Sequence, residues 1–569
     1  MNKINIVLAG QAGQGIQTVE DLVVRVFKKS YYNVFSTKEY MSRVRGGINS
    51  TTITVSTEKV DYYSKTIDIL FIFTEGTIDW LSSRITSDTV IIGEKKYLKS
   101  KEIQPRFEIE FPLTDLSEQS GGVIFSNTIV AGLITGIFDL EINLLNDALN
   151  EEFGKKGKDI IEKNILAANI GYKEAKNIKN KLNVNVSLKT DRTVENDILV
   201  NGSTAVSLGA VAGGCNFVSF YPMSPSTSVA IYLAHKMDTI DIIVEQFEDE
   251  IASANAMLGA WYAGGRGMVT TSGGGFALME EALSLAGMVE SPAVIHLGQR
   301  PGPATGLPTR TGQSELFMAM FAGHGEFPRV LFAPGDLYEA FDLSAKAFYI
   351  ADKYQIPAFI LTDQYLLDTY YNVSEFDLSK IETMHYTCVA GKDYKRYEYT
   401  DNGVSKRGIP YDSEGVVIFN GNEHDECGDI IEDDFTAKLM QEKRMKKIDN
   451  IVREAVEPSY CGNKNSKYLV VCWGSLKNSV KEALKQLQNK EIAIIHFSQV
   501  YPLKRDWAKY FEGKKIIVIE QNFSGQFAKL LLMEFGINIY KKILKYDGRP
   551  FSVEEIVDDI NKVTGDENE

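Results

Sequence analysis

The stretch Phe217–His235, FVSFYPMSPSTSVAIYLAH, runs from a short apolar strand into a turn with two prolines and several hydroxyls, and then into a helix. Similar apolar runs recur downstream, most of them separated by amphipathic segments of helix length. These runs are TIDIIVEQ (239–246), RGMVTTSGGG (266–275), PAVIHLG (292–298), RVLFAPG (329–335) and IPAFILTD (356–363). Strands that alternate with helices predict a parallel sheet covered on both faces.

Two smaller α/β blocks flank this central block. The N-terminal run INIVLAG (4–10) is followed by a glycine-rich turn and an amphipathic helix, and YLVVCWGS (468–475) opens a similar alternation near the C-terminus. We therefore predict an α/β, multi-domain chain with a first domain over 1–185, a parallel-sheet domain over 195–375 and a smaller domain over 465–569. The polar segment 376–464 is predicted to be an irregular surface connector.

Composition narrows the class of protein. With 569 residues, 44% of them apolar, the chain is long enough for several packed cores. Its net charge of −15, without a long run of basic residues, argues against nucleic acid as a partner. The five cysteines form no CxxC pair, so neither a disulfide framework nor a metal or iron–sulfur site made by this chain alone is expected. No apolar segment reaches membrane-spanning length, and we expect a cytoplasmic protein.

Two loops near the N-terminus are candidates for binding an anion. The turn AGQAGQGI, which contains Gly13 and Gly15, precedes a helix whose free N–H groups favour a phosphate. Its glycine spacing is GxxGxG rather than GxGxxG, and a purely structural glycine turn explains it equally well. The loop MSRVRGGINS offers Arg43 and Arg45 for a phosphate or carboxylate, with a solvated basic turn as the alternative.

Three further motifs lie in the central block. Glu250 begins a helix rich in small residues, where a carboxylate either serves the helix dipole or reaches a ligand ring that packs closely. TTSGGG places Ser272 and Gly273 where a strand ends, the edge at which open α/β sheets bind ligands. The rigid loop that begins at Arg300 and contains Thr305 suits capture of a small carboxylate. His296, inside a strand, is predicted to be a hydrogen-bonded core histidine.

Taken together, YPMSPSTS, EQFEDEIASANAMLGAWYAGGRGMVTTSGGG and GQRPGPATGLPTRTGQSEL resemble the α subunit of the 2-oxoacid:ferredoxin oxidoreductases. IVLAGQAGQGIQT with YMSRVRGGINS looks like that family's γ module fused ahead of α. The resemblance implies a γ-type domain over 1–185, a thiamine-diphosphate pyrimidine-binding domain over 195–375 and a transketolase C-terminal-like domain over 465–569. Serine at Ser224 in place of the usual threonine, and Gly274 in place of proline, depart from the family pattern.

The resemblance also implies roles for individual residues. Glu250 is expected to bond the aminopyrimidine ring and Arg300 to hold the substrate carboxylate, while Ser224 and Thr305 hydrogen-bond the substrate. The turn residues are expected to contact the cofactor, and the first domain to contact coenzyme A. The expected cofactor contacts are Tyr221, Pro222, Ser224, Glu250, Ser272 and Gly273, and the expected coenzyme A contacts are Gly13, Gly15, Arg43 and Arg45.

The implied reaction is the oxidative decarboxylation of a 2-oxoacid to an acyl-CoA, with ferredoxin as electron acceptor. The chain contains no GDG motif and no cysteine cluster. A β subunit is therefore expected to supply the Mg2+ site and a 4Fe–4S cluster, in a dimer of α–β heterodimers. 2-Oxoglutarate is the favoured substrate, with pyruvate or a branched-chain 2-oxoacid as the alternative. A nicotinamide-dependent dehydrogenase and a non-catalytic scaffold subunit are the other readings.

Overall fold

In the computed structural model, which describes residues 2–42, 46–100, 103, 107–182 and 186–565, the chain divides into two compact units. The first unit comprises residues 1–200 together with 368–375, and the second comprises 201–367 together with 376–569. The chain thus returns to the first unit for a single short segment. The four domain ranges given above stay a prediction.

The first unit contains a mixed eight-stranded sheet. The predicted strand at INIVLAG is present as Lys3–Gln11. In spatial order, the strands are Phe107–Glu110, Val90–Gly93, Ile69–Ile72, Lys3–Gln11, Ile48–Ser56, Asn33–Glu39, Tyr370–Val373 and Ile198–Asn201. The helices are Ile16–Lys29, Thr77–Trp80, Leu113–Gln119, Ser126–Ile137, Ile142–Phe153 and Lys158–Lys179.

One helix of the first unit continues into a strongly polar segment of the sequence. The helix Lys158–Lys179 continues through KEAKNIK and buries Ala175 and Ile178 in the core of the unit. A narrow apolar stripe is enough to dock a helix whose remaining surface is charged. Among the described residues no single helix has the length and hydropathy of a membrane span, although the sharply bent pair Leu113–Gln119 and Val123–Ile137 passes on those two criteria.

The second unit is built on the predicted parallel sheet. The seven strands, in spatial order, are Gln499–Tyr501, Val330–Phe332, Pro357–Asp363, Ala293–Gln299, Gly267–Thr271, Phe217–Phe220 and Ile243–Gln246. All neighbours are parallel except the edge strand Gln499–Tyr501, which runs antiparallel to Val330–Phe332. The associated helices are Gly202–Ala212, Thr227–Ala234, Glu250–Tyr262, Gly273–Phe276, Glu280–Met288, Leu316–Phe321, Leu337–Tyr354 and Gln364–Asp368.

The C-terminal block forms a second sheet in the same unit. Its strands, in spatial order, are Ser459–Gly462, Ile492–Phe497, Tyr468–Trp473, Lys515–Glu520 and Lys541–Leu544, with helices Lys477–Leu487, Gln526–Phe535 and Val553–Gly565. The smaller α/β block predicted from the sequence is therefore present. A two-stranded ladder of Thr387–Cys388 and Arg407–Gly408 lies in the segment between the two sheets.

The prediction of an irregular connector over 376–464 is wrong in one respect. This segment contains the helix Asp434–Arg453, twenty residues long. Its buried face includes Lys443, Arg444 and Lys447, which pair with acidic side chains at 2.5–2.7 Å. Because cations rather than an apolar stripe make up most of this face, the sequence carries no strong helical hydrophobic period here.

Candidate active site

Four predicted residues follow four adjacent strands of the seven-stranded sheet. Ser224 follows Phe217–Phe220, Glu250 follows Ile243–Gln246, Ser272 follows Gly267–Thr271 and Arg300 follows Ala293–Gln299. These four strands lie side by side in the sheet, and each is parallel to its neighbours. The carboxyl ends of parallel strands meet at one edge, so the fold gathers these side chains at the edge where such sheets bind ligands.

The turn after Phe217–Phe220 is held from three sides. Arg300 Nη1 donates to the Ser224 carbonyl at 2.7 Å, and the Ser226 hydroxyl donates to the Met223 carbonyl at 2.7 Å. Thr270 Oγ1 donates to the Ser226 carbonyl at 3.3 Å. Side chains of the turn, including Tyr221 and Ser224, remain exposed. A fixed backbone therefore presents the Ser224 hydroxyl at the surface of the site.

Glu250 is buried at the first position of its helix, with 3% of its surface exposed. The helix is already capped by Asp249, whose Oδ1 accepts from the Ala252 N–H at 2.7 Å. Within the described residues Glu250 Oε1 has no hydrogen-bond partner. A carboxylate oxygen buried without a partner is costly, and a helix that is already capped does not require it. The N-terminus of this helix therefore does not require Glu250 as its cap.

The short turn Gly273–Phe276 brings a second buried acid into the site. Ser272 Oγ, just before the turn, is fully buried and unpartnered among the described residues. A methyl group on Gly273 would stand 2.8 Å from Glu315 Oε1, and one on Gly275 would stand 2.6 Å from Glu250 Oε1. The glycines thus allow two carboxyl groups to lie directly against one turn.

Sequence reasoning missed Glu315. Glu315 lies in the stretch TGQSEL, and the sequence around a buried glutamate in a polar loop looks the same as the sequence around a solvated one. In the structure it is 7% exposed, and burial raises the pKa of its carboxyl to about 7, with Arg300 acting in the opposite direction. Oε1 accepts from the Ser314 hydroxyl at 3.1 Å, and Oε2 has no partner among the described residues.

Arg300 is the cation of the site. It is 5% exposed, and burial lowers its pKa from the usual arginine value. Its Nη1 donates to the Ser224 carbonyl, whereas its Nε has no hydrogen-bond partner in the described part of the chain. A guanidinium with a buried free donor is suited to bind a carboxylate. His296, by contrast, bonds Thr270 at 2.7 Å and Thr362 at 2.9 Å and is the core histidine predicted.

The loop after Arg300 closes back on itself. The Leu307 N–H donates to the Pro301 carbonyl at 2.9 Å, and Gly306 between them has a φ of +51°. Thr305 is exposed on this loop. The carbonyl of its neighbour Ala304 lies 3.8 Å from where a methyl group on Gly274 would stand. The structure therefore brings the loop beside the glycine turn, with the Thr305 hydroxyl at the surface.

The first unit contains a separate cavity of about 330 Å3. Gly13 lies in its wall, and the φ angles of Gly13 and Gly15, +90° and +68°, belong to the left-handed region that favours glycine. The other lining residues are Gln14, Ile72, Phe73, Glu94, Tyr97, Leu113, Thr114, Val123, Ile124, Ser126 and Asn127. Arg43 and Arg45 lie outside the described residues.

Comparison with protein families matches both parts of the chain. The family described as pyruvate flavodoxin/ferredoxin oxidoreductase, thiamine diP-bdg, matches residues 208–446. The family described as pyruvate ferredoxin/flavodoxin oxidoreductase matches residues 5–174. The first match contains all the residues described above at the carboxyl edge of the seven-stranded sheet.

Individual relatives match over nearly the whole length. A 2-oxoacid:ferredoxin oxidoreductase subunit alpha from Sulfolobus sp is 30% identical, over 99% of this chain and 97% of its own. A 2-oxoglutarate synthase subunit KorA from Methanocaldococcus jannaschii is 32% identical over 57% of this chain and 88% of its own. The structure of a 2-oxoglutarate:ferredoxin oxidoreductase from Magnetococcus marinus, with 2-oxoglutarate, coenzyme A and succinyl-CoA bound, has a TM-score of 0.91 at 27% identity and covers 99% of this chain and 100% of that one.

Proposed function

The chain belongs to the 2-oxoacid:ferredoxin oxidoreductases as an alpha subunit, and from that premise we propose that its complex uses 2-oxoglutarate. The reaction would convert 2-oxoglutarate, coenzyme A and two oxidised ferredoxins into succinyl-CoA, carbon dioxide, a proton and two reduced ferredoxins. Support for this substrate comes from the relatives named 2-oxoglutarate synthase and from the similar structure determined with 2-oxoglutarate bound.

The observation that carries the proposal is the set of unpartnered buried polar atoms at one sheet edge. Glu250 Oε1, Ser272 Oγ, Arg300 Nε and Glu315 Oε2 have no partner among the described residues. Native proteins rarely leave buried polar groups unsatisfied, so such a group calls for an explanation, and a bound ligand is one. Two acceptor oxygens, a hydroxyl and a guanidinium donor suit a polar heterocycle together with a carboxylate.

These residues fit thiamine diphosphate on the side of its aminopyrimidine. Glu250 Oε1 is a buried acceptor for a ring nitrogen, and Gly273 and Gly275 leave the backbone open to a flat ring. When bound, thiamine diphosphate supplies the electron sink for decarboxylation. We propose that Tyr221, Pro222, Ser224, Glu250, Ser272 and Gly273 hold the cofactor.

The remaining roles concern the substrate and the acyl acceptor. We propose that Arg300 binds a carboxylate of the 2-oxoacid, and that Ser224 and Thr305 orient it by hydrogen bonds. The Ser224 backbone is already bound by Arg300, so substrate recognition and turn geometry depend on one side chain. For coenzyme A, we propose contacts with Gly13, Gly15, Arg43 and Arg45 in the first unit.

We also propose that other groups come from a partner subunit. A β subunit would provide the Mg2+ site and the 4Fe–4S cluster, and ferredoxin would accept the electrons from that cluster. Two α–β heterodimers would then form the assembly.

The proposal is tested with this chain co-expressed with its β partner under anaerobic conditions. Viologen reduction is measured with 2-oxoglutarate, pyruvate or a branched-chain 2-oxoacid, each with and without coenzyme A. We expect the highest kcat/KM with 2-oxoglutarate and no sustained turnover without coenzyme A. A higher kcat/KM with pyruvate or the branched substrate would contradict the substrate assignment, and no turnover by an iron-loaded complex would contradict the activity itself.

A further inference from the structure

Glu315 and Arg300 lie at the same strand end, and the proposed function places the carboxylate of the substrate on that arginine. Its carboxyl contacts the glycine turn at Gly273, and its own N–H donates to Gln299 Oε1 at 3.3 Å. Gln299 immediately precedes Arg300 in the chain. The acid and the arginine are therefore attached to the same strand end, and the electrostatic interaction between them lowers the pKa of Glu315.

The loop that carries Glu315 is fastened by the C-terminal block. Gln526 Nε2 donates to the Ser314 carbonyl at 2.7 Å, and Gln526 Oε1 accepts from the Phe317 N–H at 2.9 Å. On the other side, the Gln313 N–H donates to the Gln521 carbonyl at 2.8 Å. With both flanks held, the backbone that carries Glu315 is fixed in place.

Few polar or charged groups of the described residues face the carboxyl of Glu315. Its own loop contributes the Ser314 hydroxyl, the Ala293–Gln299 strand end contributes Gln299 and the cation Arg300, and the helix Gln526–Phe535 contributes Gln526. The glycine turn contributes no charge, although the second buried acid, Glu250, lies against its Gly275. Arg300 acts on the titration of Glu315 by lowering the pKa of its carboxyl, against the effect of burial.

We propose that Glu315 is a proton-coupled positioning residue, which carries its proton while Arg300 binds the carboxylate of the 2-oxoacid and competes for Arg300 once it ionises. This rests on the proposed role of Arg300. With substrate bound, an ionised Glu315 would place two negative charges against one buried guanidinium, which is costly in a poorly solvated site. Binding of the substrate anion therefore draws one proton from solvent onto Glu315.

The coupling predicts how substrate affinity changes with pH. The pKa of Glu315 is about 7 without ligand. If ionisation blocks Arg300, KM for 2-oxoglutarate rises by roughly tenfold between pH 6 and pH 8, because the competent fraction falls with a slope of one proton. The carboxylates of 2-oxoglutarate stay ionised over this range, so the substrate itself contributes no such change.

The test measures KM and kcat of the co-expressed complex from pH 6 to pH 8 for wild type, Glu315→Gln, Glu315→Asp and the exposed control Glu326→Gln. We expect the rise in KM in wild type and the control, a change below about twofold in Glu315→Gln, and a retained rise in Glu315→Asp. A rise that persists in Glu315→Gln, or a KM in wild type that does not change with pH, would overturn the proposal. Should Glu315→Gln fail to assemble, loss of the rise in a folded Glu315→Asp would overturn it.

An infrared measurement tests the proton itself and needs no turnover. Wild type at pH 7.5 is expected to gain a carboxylic-acid C=O band when 2-oxoglutarate is added, and Glu315→Gln is expected to lack this band. Absence of the band in wild type would overturn the inference. If the wild-type complex oxidises no 2-oxoacid at all, the proposed function fails, and the infrared band still decides whether Glu315 carries the proton.

Discussion

The two edges of the seven-stranded sheet treat buried acids in opposite ways. At the amino edge, Glu290 precedes the strand Ala293–Gln299 and contacts Lys443 Nζ at 2.7 Å and Lys447 Nζ at 2.5 Å. Burial alone would raise the pKa of Glu290, but the two ammonium groups hold it well below its usual range. At the carboxyl edge, burial raises the pKa of Glu315 to about 7, because no cation of the described residues forms an ion pair with it.

Asp352 at the amino edge repeats the pattern of Glu290. It forms ion pairs with Arg266 and with Arg407, the latter at 2.7 Å, and all three side chains are buried. The difference teaches that burial of charge does not by itself mark a functional site. Among these buried acids, the feature that differs is the ion-pair partner, since a paired acid serves the fold and an unpaired one is available to a ligand.

The largest effect is expected for Glu250→Gln. Unchanged activity in this variant would contradict a functional role for the unpaired acids at the carboxyl edge. Removing the carboxylate from the carboxyl edge should lower kcat by about 10²–10⁴-fold, the range for loss of an acid–base group. The thermal midpoint should stay near that of wild type, because no ion pair is lost. The exposed Glu248→Gln is the matched control, and equal kcat in the two variants would remove Glu250 from the mechanism.

The next largest effect is a loss of stability at the amino edge, where the buried acids are paired. Glu290→Gln leaves Lys443 and Lys447 buried without their acid and should cost about 3–5 kcal/mol in the free energy of unfolding. Denaturant unfolding of the complex, with the exposed Glu281→Gln as control, measures the loss. A Glu290→Gln variant as stable as wild type would contradict a structural role for the paired acids at the amino edge.

Arg300→Ala separates substrate binding from cofactor binding within the site. Loss of a charged hydrogen bond to a carboxylate is worth about 1.5–3 kcal/mol, so KM for the 2-oxoacid should rise by roughly 10–150-fold. Thiamine diphosphate affinity, measured by calorimetry, should change much less, because the proposed ring contact belongs to Glu250. An equal loss of both affinities would show that Arg300 acts mainly by holding the turn at Ser224.

The smallest effects concern neighbouring glycines. Gly273→Ala places a methyl group 2.8 Å from Glu315 Oε1, and such overpacking should cost about 1–3 kcal/mol. At Gly274, in the first turn of a short helix, the nearest atom lies 3.8 Å from an added methyl group. Gly274→Pro should therefore be neutral or stabilise by up to about 1 kcal/mol. Equal melting temperatures for the two variants would argue against the close packing of Glu315.

Sequence patterns predicted the sheet but only part of the site. The alternation of apolar runs and helices predicted all six parallel strands, because each contains an apolar run, and all but the edge strand Ile243–Gln246 are buried along most of their length. Ser224, Glu250, Ser272 and Arg300 were singled out by the distinctive motifs that follow these runs, and the expected roles of Ser224, Glu250 and Arg300 came from the family resemblance. Glu315 was not, since its burial depends on Gln299, Gln526 and Gly273, which are distant in sequence.

Two other elements were missed for physical reasons that the structure makes plain. The helix Asp434–Arg453 buries paired lysines and an arginine rather than an apolar stripe, so the 3.6-residue period that indicates a helix is weak. The strand Tyr370–Val373 joins the first unit by pairing with Asn33–Glu39, about 335 residues earlier. The local pattern of apolar and polar residues does not indicate which distant strand will be the partner.

That returning strand also bears on the order in which the molecule is made. Tyr370–Val373 lies between Asn33–Glu39 and Ile198–Asn201 in the finished sheet. As the chain leaves the ribosome, the N-terminal sheet must wait, with the edge of Asn33–Glu39 unpaired, until Val373 has been synthesised. Unpaired edges invite association with other chains. Translation speed over the intervening segment, and chaperones that shield nascent strands, should therefore influence the yield of folded protein.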